Sequence, residues 1–271
     1  MNASRSFYFF DFDKNIMKVK VPLVLTNTED GSTKEVSSGQ YYKEIKEKLG
    51  KEPPWKDWSD KDLFLNYRDR PDTPASRQPF VTQIETTIDG VDAKEWQAPA
   101  WGVFVHACNT GRPFSLITAR GHADDTVKAG FEVLKERGYI EQTPNYLTIY
   151  NVTYPPTLAL LDPKGKIVDQ DGKPDTPGLK YQAILRSVDA AVAEYGMARH
   201  RFGMSDDTEE NVEFIADAMV KCKERYGSMR FFVISTNSQH NLKAEIFPMN
   251  VPVTGHGDPA GMDPLESHLD D

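Results

Sequence analysis

Asp11 and Asp13 stand directly after an apolar run, Phe7 to Phe10, near the start of the chain. Such a run predicts a buried strand, and residues i and i+2 point the same way at the end of a strand. Two carboxylates aimed into one crevice repel each other unless a cation or a shared proton lies between them. Although an Asp-x-Asp by itself is more typical of a turn, its place after a strand indicates metal-assisted acid–base or nucleophilic chemistry.

Three further groups of polar residues follow predicted strands or begin predicted helices. Thr118 closes one strand, Lys180 lies in the first turns of a helix, and Asp206 and Asp207 separate a later strand from a helix. A carboxylate can attack phosphorus and a second can move a proton, while a hydroxyl and an ammonium can hold the non-bridging oxygens. Further carboxylates can share Mg²⁺ with the nucleophile, because this ion prefers oxygen ligands. These residue types therefore match the needs of phosphoryl transfer.

The elements that must position these residues alternate along the chain. Short apolar segments predict strands at 7–10, 114–118, 146–152, 158–161, 201–204 and 230–235. Amphipathic segments predict helices at 96–109, 122–137, 176–195 and 207–226, the last with Asp207 and Glu210 at capping-box spacing. Strand runs that are apolar throughout favour a parallel sheet with helices on both faces, and ligands bind beyond the C-terminal ends of such strands. The sequence thus predicts an α/β fold with a Rossmann-like, doubly wound parallel sheet.

The segment between the first two polar groups has a different character. Residues 16–25 are strand-like, and the polar stretch Thr26 to Thr33, with Asp30-Gly31, predicts a hairpin turn. A short helix is expected at 41–49, and the prolines of 51–79 disfavour regular structure. We therefore expect a β-hairpin flap and a small irregular cap insertion, in which Trp55 and Trp58 pack a small core of their own.

Composition narrows the possible partners. A formal net charge of −9, from 41 acidic and 32 basic residues, argues against nucleic acid or an anionic membrane as the main partner. No apolar stretch reaches the length of a membrane span or of a signal peptide, so we expect a cytoplasmic protein with no membrane contact. Cys108 and Cys222 lack disulfide or metal spacing and are expected to be buried thiols. The histidines show no metal-ligand spacing and are expected to be structural or surface residues: His106, His122, His200 and His240.

The four polar groups, in this order on an alternating α/β background, resemble the haloacid dehalogenase-like (HAD) superfamily, phosphatase type. The family pattern is an apolar strand that ends in Asp-x-Asp, a Thr or Ser that closes the second strand, a Lys, and an acidic pair. The resemblance covers about residues 5–25 and 95–237. It implies a HAD-like catalytic core at 1–25 and 95–247, a flap and small cap at 26–94, and leaves 248–271 as a flexible acidic tail.

The resemblance also implies a Mg²⁺-dependent phosphohydrolase that cleaves a phosphomonoester through an aspartyl-phosphate. Asp11 would be the nucleophile, and Asp13 would protonate the leaving group and then activate water. Phosphate would be bound by Thr118, Lys180, Ala119 and Arg120. The metal would be held by Asp11, the main-chain carbonyl of Asp13, Asp206 and Asp207.

The sequence leaves two possible roles open for several residues. Asp207 is either a metal ligand or only the cap of the following helix. Arg120 either contacts the substrate phosphate or forms a structural ion pair with Asp124. Lys14 and Asn15 replace the small residues usual in the family, and Lys14 either crowds the site or contacts an anionic substrate.

Two other functions fit part of the pattern. A receiver-like phospho-acceptor domain also uses an acidic pair, an acceptor Asp, a Thr or Ser and a Lys, but its adjacent acidic pair comes early in the chain, whereas here it comes late. A non-catalytic HAD-like binding protein would use the insertion to hold a ligand. The expected partner is a small phosphorylated substrate whose identity, like the oligomeric state, the sequence leaves open.

Overall fold

The computed structural model of the chain describes residues 3–236, 242–247 and 262–264. Its strands are β1 (Ser6–Phe10), β2 (Leu23–Asn27), β3 (Thr33–Val36), β4 (Trp58–Ser59), β5 (Pro113–Thr118), β6 (Asn145–Asn151), β7 (Arg201–Asp206), β8 (Arg230–Ser235), β9 (Leu242–Glu245) and β10 (Met262–Pro264). Its α-helices are α1 (Ser38–Gln40), α2 (Pro79–Gly90), α3 (Ala93–Trp96), α4 (Trp101–Asn109), α5 (Asp124–Glu136), α6 (Pro155–Leu161), α7 (Thr176–Tyr195) and α8 (Glu209–Arg225). A π-helical turn (Tyr41–Ile45) continues α1, and Leu65–Tyr67 and Ala75–Arg77 form 3₁₀ turns.

The described residues form one large sheet in the order β10-β9-β8-β7-β1-β5-β6. Strands β6, β5, β1, β7 and β8 are parallel, whereas β9 and β10 are antiparallel to their neighbours. The chain proceeds from β1 to one side, through β5 and β6, and then crosses to the other side through β7 and β8. In open α/β sheets such a reversal of strand order opens a crevice at the C-terminal strand ends. The predicted α/β architecture is confirmed at this level.

Helices cover both faces of the sheet because the parallel strands are apolar on both faces. On one face, Phe10 and Phe114 pack with residues of α2, α4 and α5. On the other face, Phe9 and Phe202 pack with residues of α6, α7 and α8. The ends of the central strands are therefore held in place between two apolar layers.

The insertion has its own small sheet in the order β3-β2-β4, and the predicted hairpin pairs Thr26 with Thr33. Its core includes Leu25 and Tyr41, and Trp55 and Trp58 pack against it, as expected. Helix α2 lies within residues 26–94, yet its buried residues pack against α5 in the core of the large sheet. The insertion is thus physically tied to the large sheet through α2.

Several elements differ from the sequence predictions. Residues 158–161 belong to the helix α6 rather than to a strand, because Pro155 and Pro156 occupy its first turn, where proline is preorganised for a helix. The predicted helix 96–109 is broken into α3 and α4. The N-terminal cap of α8 is Thr208 rather than the predicted Asp207.

Only Met262–Pro264 of the expected tail, 248–271, lies within the described residues, where it pairs with β9. Cys108 and Cys222 are buried and free, as predicted, and burial raises the pKa of both thiols. Among the described helices, we find none with both the length and the apolar character needed to cross a membrane.

Candidate active site

Three of the predicted site residues lie at the C-terminal ends of three neighbouring strands. Asp11 directly follows β1, Thr118 is the last residue of β5, and Asp206 is the last residue of β7. The backbone N–H of Asp11 donates to the carbonyl of Ser205, 3.2 Å away, and so extends the β1–β7 ladder by one residue. The sheet itself therefore brings these side chains, which are distant in sequence, to one edge.

Lys180 reaches this edge from α7 and joins two of the carboxylates. Its Nζ donates to Asp11 Oδ1 at 3.1 Å and to Asp206 Oδ2 at 2.9 Å. All three side chains are buried. Burial disfavours the charged ammonium, but the two adjacent carboxylates outweigh this effect and raise the pKa of Lys180. The amine is therefore a fixed positive charge.

Asp11, Asp206 and Asp207 each offer a carboxylate oxygen within 4.8 Å of the others. We call these three residues and Lys180 the inner cluster. Burial raises the pKa of Asp11 to about 7, and the nearby Asp206 and Asp13 add to the rise while Lys180 opposes it. The pKa of Asp207 is also raised, by burial and by Asp206. One ammonium faces three carboxylates, which leaves an excess of negative charge in a mostly buried space.

The first turn of α8 fixes Asp206. Its Oδ1 accepts from the backbone N–H of Thr208 at 3.0 Å, and both carboxylate oxygens accept from Asn211 Nδ2 at 3.1 and 3.2 Å. Asp206, rather than Asp207, therefore receives the backbone N–H at the start of this helix. The interpretation of Asp207 as the helix cap is wrong. Its half-buried carboxylate lies instead beside those of Asp11 and Asp206.

Thr118 carries a buried hydroxyl without a hydrogen-bond partner among the described residues. A buried polar atom without a partner costs about 1–3 kcal/mol, so such an atom calls for an explanation. The adjacent Ala119 is exposed, and its carbonyl accepts from Thr153 Oγ1 at 2.8 Å. A strand-end hydroxyl in this state is available to a bound ligand.

Asp13 lies apart from the inner cluster and pairs with Arg120. Arg120 Nε donates to Asp13 Oδ2 at 2.8 Å, and Nη2 donates to Oδ1 at 2.7 Å. We call Asp13 and Arg120 the outer pair. The predicted ion pair between Arg120 and Asp124 is wrong. Asp124 begins α5, whereas the Arg120 side chain extends from the preceding loop to Asp13, in the loop after β1.

Two neighbours of the Asp-x-Asp segment have distinct positions. Asn15 is fully buried and donates to Asp11 O and to Ser205 O and Oγ, while its own Oδ1 accepts from Thr236 Oγ1. This amide ties together the ends of three strands, and a smaller residue would lose these bonds. Lys14 is exposed with a φ of 57°, and its charge offsets part of the rise in the pKa of Asp207. It therefore lies at the mouth of the site rather than inside it.

Sequence reasoning missed two groups of residues around the site. Gln83 accepts from Arg120 Nη1 at 2.8 Å. Asp69 in the insertion pairs with His122 Nδ1 at 2.9 Å and also accepts from Ala123 N and Thr126 Oγ1. Burial lowers the pKa of His122, which is a structural residue as expected, and so is the buried His200. His240 lies outside the described residues. No local pattern marks Gln83 or Asp69, because both act through partners distant in sequence.

Comparison of the chain with protein-family models, with curated proteins and with solved structures finds no match. The functional argument therefore depends on the geometry of the site and on the chemistry of its residues.

Proposed function

We propose that this protein is a HAD-like, Mg²⁺-dependent phosphohydrolase that cleaves a phosphomonoester through an aspartyl-phosphate on Asp11. The observation that carries the proposal is the inner cluster: Asp11, Asp206 and Asp207 lie with oxygens within 4.8 Å of one another, and Lys180 bridges two of them. An acceptor carboxylate, a fixed ammonium and a hydroxyl that has no hydrogen-bond partner within the described part of the chain meet at the C-terminal edge of the sheet, and this set suits phosphoryl transfer.

The donor set fits a hard divalent cation. Three carboxylates against one ammonium leave an excess negative charge, and oxygen-only ligands are those that Mg²⁺ prefers. Burial, and then the charges of Asp206 and Asp13, raise the pKa of Asp11 to about 7 against the opposing effect of Lys180, so further positive charge nearby would favour its ionised form. Asp11, Asp206 and Asp207 would hold the ion. Bound there, it would supply positive charge that keeps Asp11 ionised and stabilises the charge of the phosphoryl group.

The protein residues would then divide the reaction into two displacements. An oxygen of Asp11 attacks phosphorus, the bond from phosphorus to the ester oxygen breaks, and Asp13, which enters this step in its protonated form, gives its proton to the departing oxygen. Asp13, now a carboxylate, next takes a proton from a water, whose oxygen attacks phosphorus, and the bond from phosphorus to Asp11 breaks. The products are an alcohol and inorganic phosphate, with Asp11 again a carboxylate and Asp13 again protonated. Lys180 and the Thr118 hydroxyl would hold the non-bridging oxygens.

The decisive experiment compares the wild type with Asp11→Asn on an aryl phosphate and a panel of alkyl phosphates, with Mg²⁺. We expect Asp11→Asn to lower turnover by at least about 10⁴-fold, since an amide is a poor nucleophile. Acid-quenched wild-type protein should carry a phosphoryl group that hydroxylamine removes, as an acyl phosphate requires. Turnover that survives Asp11→Asn would reject the assignment of the nucleophile.

Two controls separate this function from its alternatives. Asp125→Asn changes an exposed carboxylate at the start of α5 and should leave turnover unchanged. A receiver-like domain would instead form a long-lived phosphoprotein with acetyl phosphate and turn over no ester. A binding protein would show metal affinity, lost in Asp206→Asn by isothermal titration, without hydrolysis of any ester in the panel.

A further inference from the structure

The Arg120 side chain is almost completely inaccessible although it carries a charge. It is 1% exposed, while the Asp13 side chain that it pairs with is 30% exposed. The two parallel bonds, Nε to Oδ2 and Nη2 to Oδ1, fix the plane of the carboxylate as well as its distance. Among the described residues, no other side chain donates a hydrogen bond to this carboxylate. Arg120 therefore sets where the Asp13 carboxylate lies.

Aromatic rings hold the guanidinium itself. Its Cζ lies 5.1 Å from the ring centre of Phe12, 5.0 Å from that of Phe80 and 5.2 Å from that of Tyr67. A guanidinium stacks well on aromatic faces, because the ring quadrupole attracts the cation. The three rings come from the β1 loop, from α2 and from the insertion. The orientation of Arg120 is thus determined from three sides.

A chain of hydrogen bonds links Arg120 to the insertion. Arg120 Nη1 donates to Gln83 Oε1 at 2.8 Å, and Gln83 Nε2 donates to the carbonyl of Asn66 at 2.8 Å. Asn66 Nδ2 in turn donates to Glu35 Oε1 in β3 at 3.0 Å. The bonds to Asp13 and Gln83 use three of the five N–H groups of Arg120. The other two belong to a guanidinium that is 1% exposed and packed among three rings, which leaves little room for a substrate phosphate.

We propose that Arg120 is a positioning residue, which holds the Asp13 carboxylate in place for proton transfer and which Gln83 couples to the insertion. This inference rests on the proposed phosphohydrolase function. It replaces the reading of Arg120 as a phosphate ligand. Asp13 follows β1 in a loop and is partly exposed, so without the guanidinium its carboxylate would sample several rotamers. A displacement of about 1 Å at a reacting group can cost about 10²-fold in rate.

The test is a double-mutant cycle on turnover with Asp13→Asn and Arg120→Met. Methionine keeps an unbranched apolar stem among the three rings. We expect Arg120→Met to lower kcat about 10²-fold in the wild-type background but less than about 3-fold in the Asp13→Asn background, because residues that act as a unit are not additive. The loss in kcat/KM should be larger for alkyl than for aryl phosphates, since only the poor leaving group needs a proton. Inorganic phosphate should bind with unchanged affinity.

Three variants keep the result interpretable. Arg137→Met removes a similar two-nitrogen pair, with Asp89, on the exposed surface and should leave kcat unchanged. Arg120→Lys keeps the charge without the planar fork and should also lose activity. Gln83→Met leaves the outer pair intact and should give a smaller loss with the same leaving-group dependence.

The outcomes separate the two proposals. Equal losses from Arg120→Met in both backgrounds, or weaker binding of inorganic phosphate, would overturn the positioning role while Asp11→Asn still abolishes turnover. A wild type without phosphatase activity, or one whose activity survives Asp11→Asn, would overturn the function and this inference together.

Discussion

The inner cluster and the outer pair place the two aspartates of one Asp-x-Asp segment in contrasting environments. Asp11 is buried, shares one ammonium with Asp206, and has a pKa raised to about 7. Asp13 is partly exposed and has a guanidinium of its own. Two carboxylates only two residues apart therefore have different surroundings. Asp11 lies in an excess of negative charge, and Asp13 lies in a balanced ion pair.

The difference shows that the inner cluster, unlike the outer pair, lacks enough positive charge to balance its carboxylates. Buried carboxylates without full compensation cost several kcal/mol, and a cation or a proton relieves that cost. A bound cation would balance the excess negative charge of the inner cluster. In the outer pair, the guanidinium of Arg120 already balances the carboxylate of Asp13. Under the proposed function, the inner cluster would govern metal binding and stability, and the outer pair would govern the rate of proton transfer.

The largest effect should follow from Lys180→Met. This change removes the only ammonium within hydrogen-bond distance of Asp11 and Asp206 among the described residues. In metal-free protein near pH 8 the free energy of unfolding should fall by about 3–5 kcal/mol, because two buried carboxylates lose their partner. Denaturant unfolding measures the loss, and added Mg²⁺ should restore part of it.

Two comparisons sharpen that result. Lys221→Met breaks an exposed ion pair with Glu224 and should change the unfolding midpoint little. Adding Asp206→Asn to Lys180→Met removes one of the two stranded charges and should recover stability. If Lys180→Met unfolds like the wild type, the inner cluster is not under electrostatic strain, and the contrast with the outer pair disappears.

The positions of Asp11, Thr118 and Asp206 could be predicted from the sequence because these residues stand at strand ends. In a parallel sheet the C-terminal ends meet at one edge, so Asp11, Thr118 and Asp206 needed only correct strand boundaries to be placed together. Lys180 followed from the start of a strongly patterned helix. Each of these signals is local in the sequence, and the pairing of the strands brings the residues together in space.

The outer pair could not be predicted in the same way. Arg120 and Asp13 are joined by a side-chain contact across two loops, and a local alternative for Arg120, Asp124 four residues later, looked equally good. Helix α2, which supplies Gln83 and Phe80, begins with Pro79 and carries no side-chain cap, so its one start signal was hidden among the prolines of 51–79. Tertiary packing against α5, rather than any capping residue, holds this helix where Arg120 needs it.

An intermediate effect should follow from Gly130→Ala in α5, which disturbs the outer pair without touching it. A Cβ at this position would lie 2.5 Å from Phe80 Cε1 and 2.8 Å from Ile84 Cδ1. Phe80 must move, and its ring packs on Arg120. We expect a loss of about 1–3 kcal/mol in unfolding free energy from overpacking. Turnover of alkyl phosphates should fall more than that of aryl phosphates, while Mg²⁺ affinity by titration stays unchanged.

The matched control is Gly102→Ala in α4, where an added Cβ meets nothing within 4 Å. That change should stabilise the helix by up to about 1 kcal/mol and leave both substrate classes unaffected. Equal loss of both activities in Gly130→Ala, or loss of metal affinity, would mean that α2 and α5 support the whole site rather than the outer pair.

The smallest predicted effect is the change in the free energy of unfolding with pH in metal-free protein. The pKa of Asp11 is about 7 when folded, against an ordinary value of 3.8. Between these values the folded state keeps a proton that the unfolded state has lost, so the free energy of unfolding should fall as pH rises, by up to about 1.4 kcal/mol per pH unit.

Denaturant titrations in chelator between about pH 4 and pH 7 would measure this slope as the difference between wild type and Asp11→Asn, which lacks the titrating group. The subtraction matters because His122 acts in the opposite direction. Burial lowers its pKa below the ordinary 6.5, so its share of stability rises with pH, and it does so in both proteins. Parallel pH profiles for the two proteins would mean that Asp11 is already ionised without metal. The negative charge of the inner cluster would then be balanced by Lys180 alone, and the need for a divalent cation would lose its electrostatic basis.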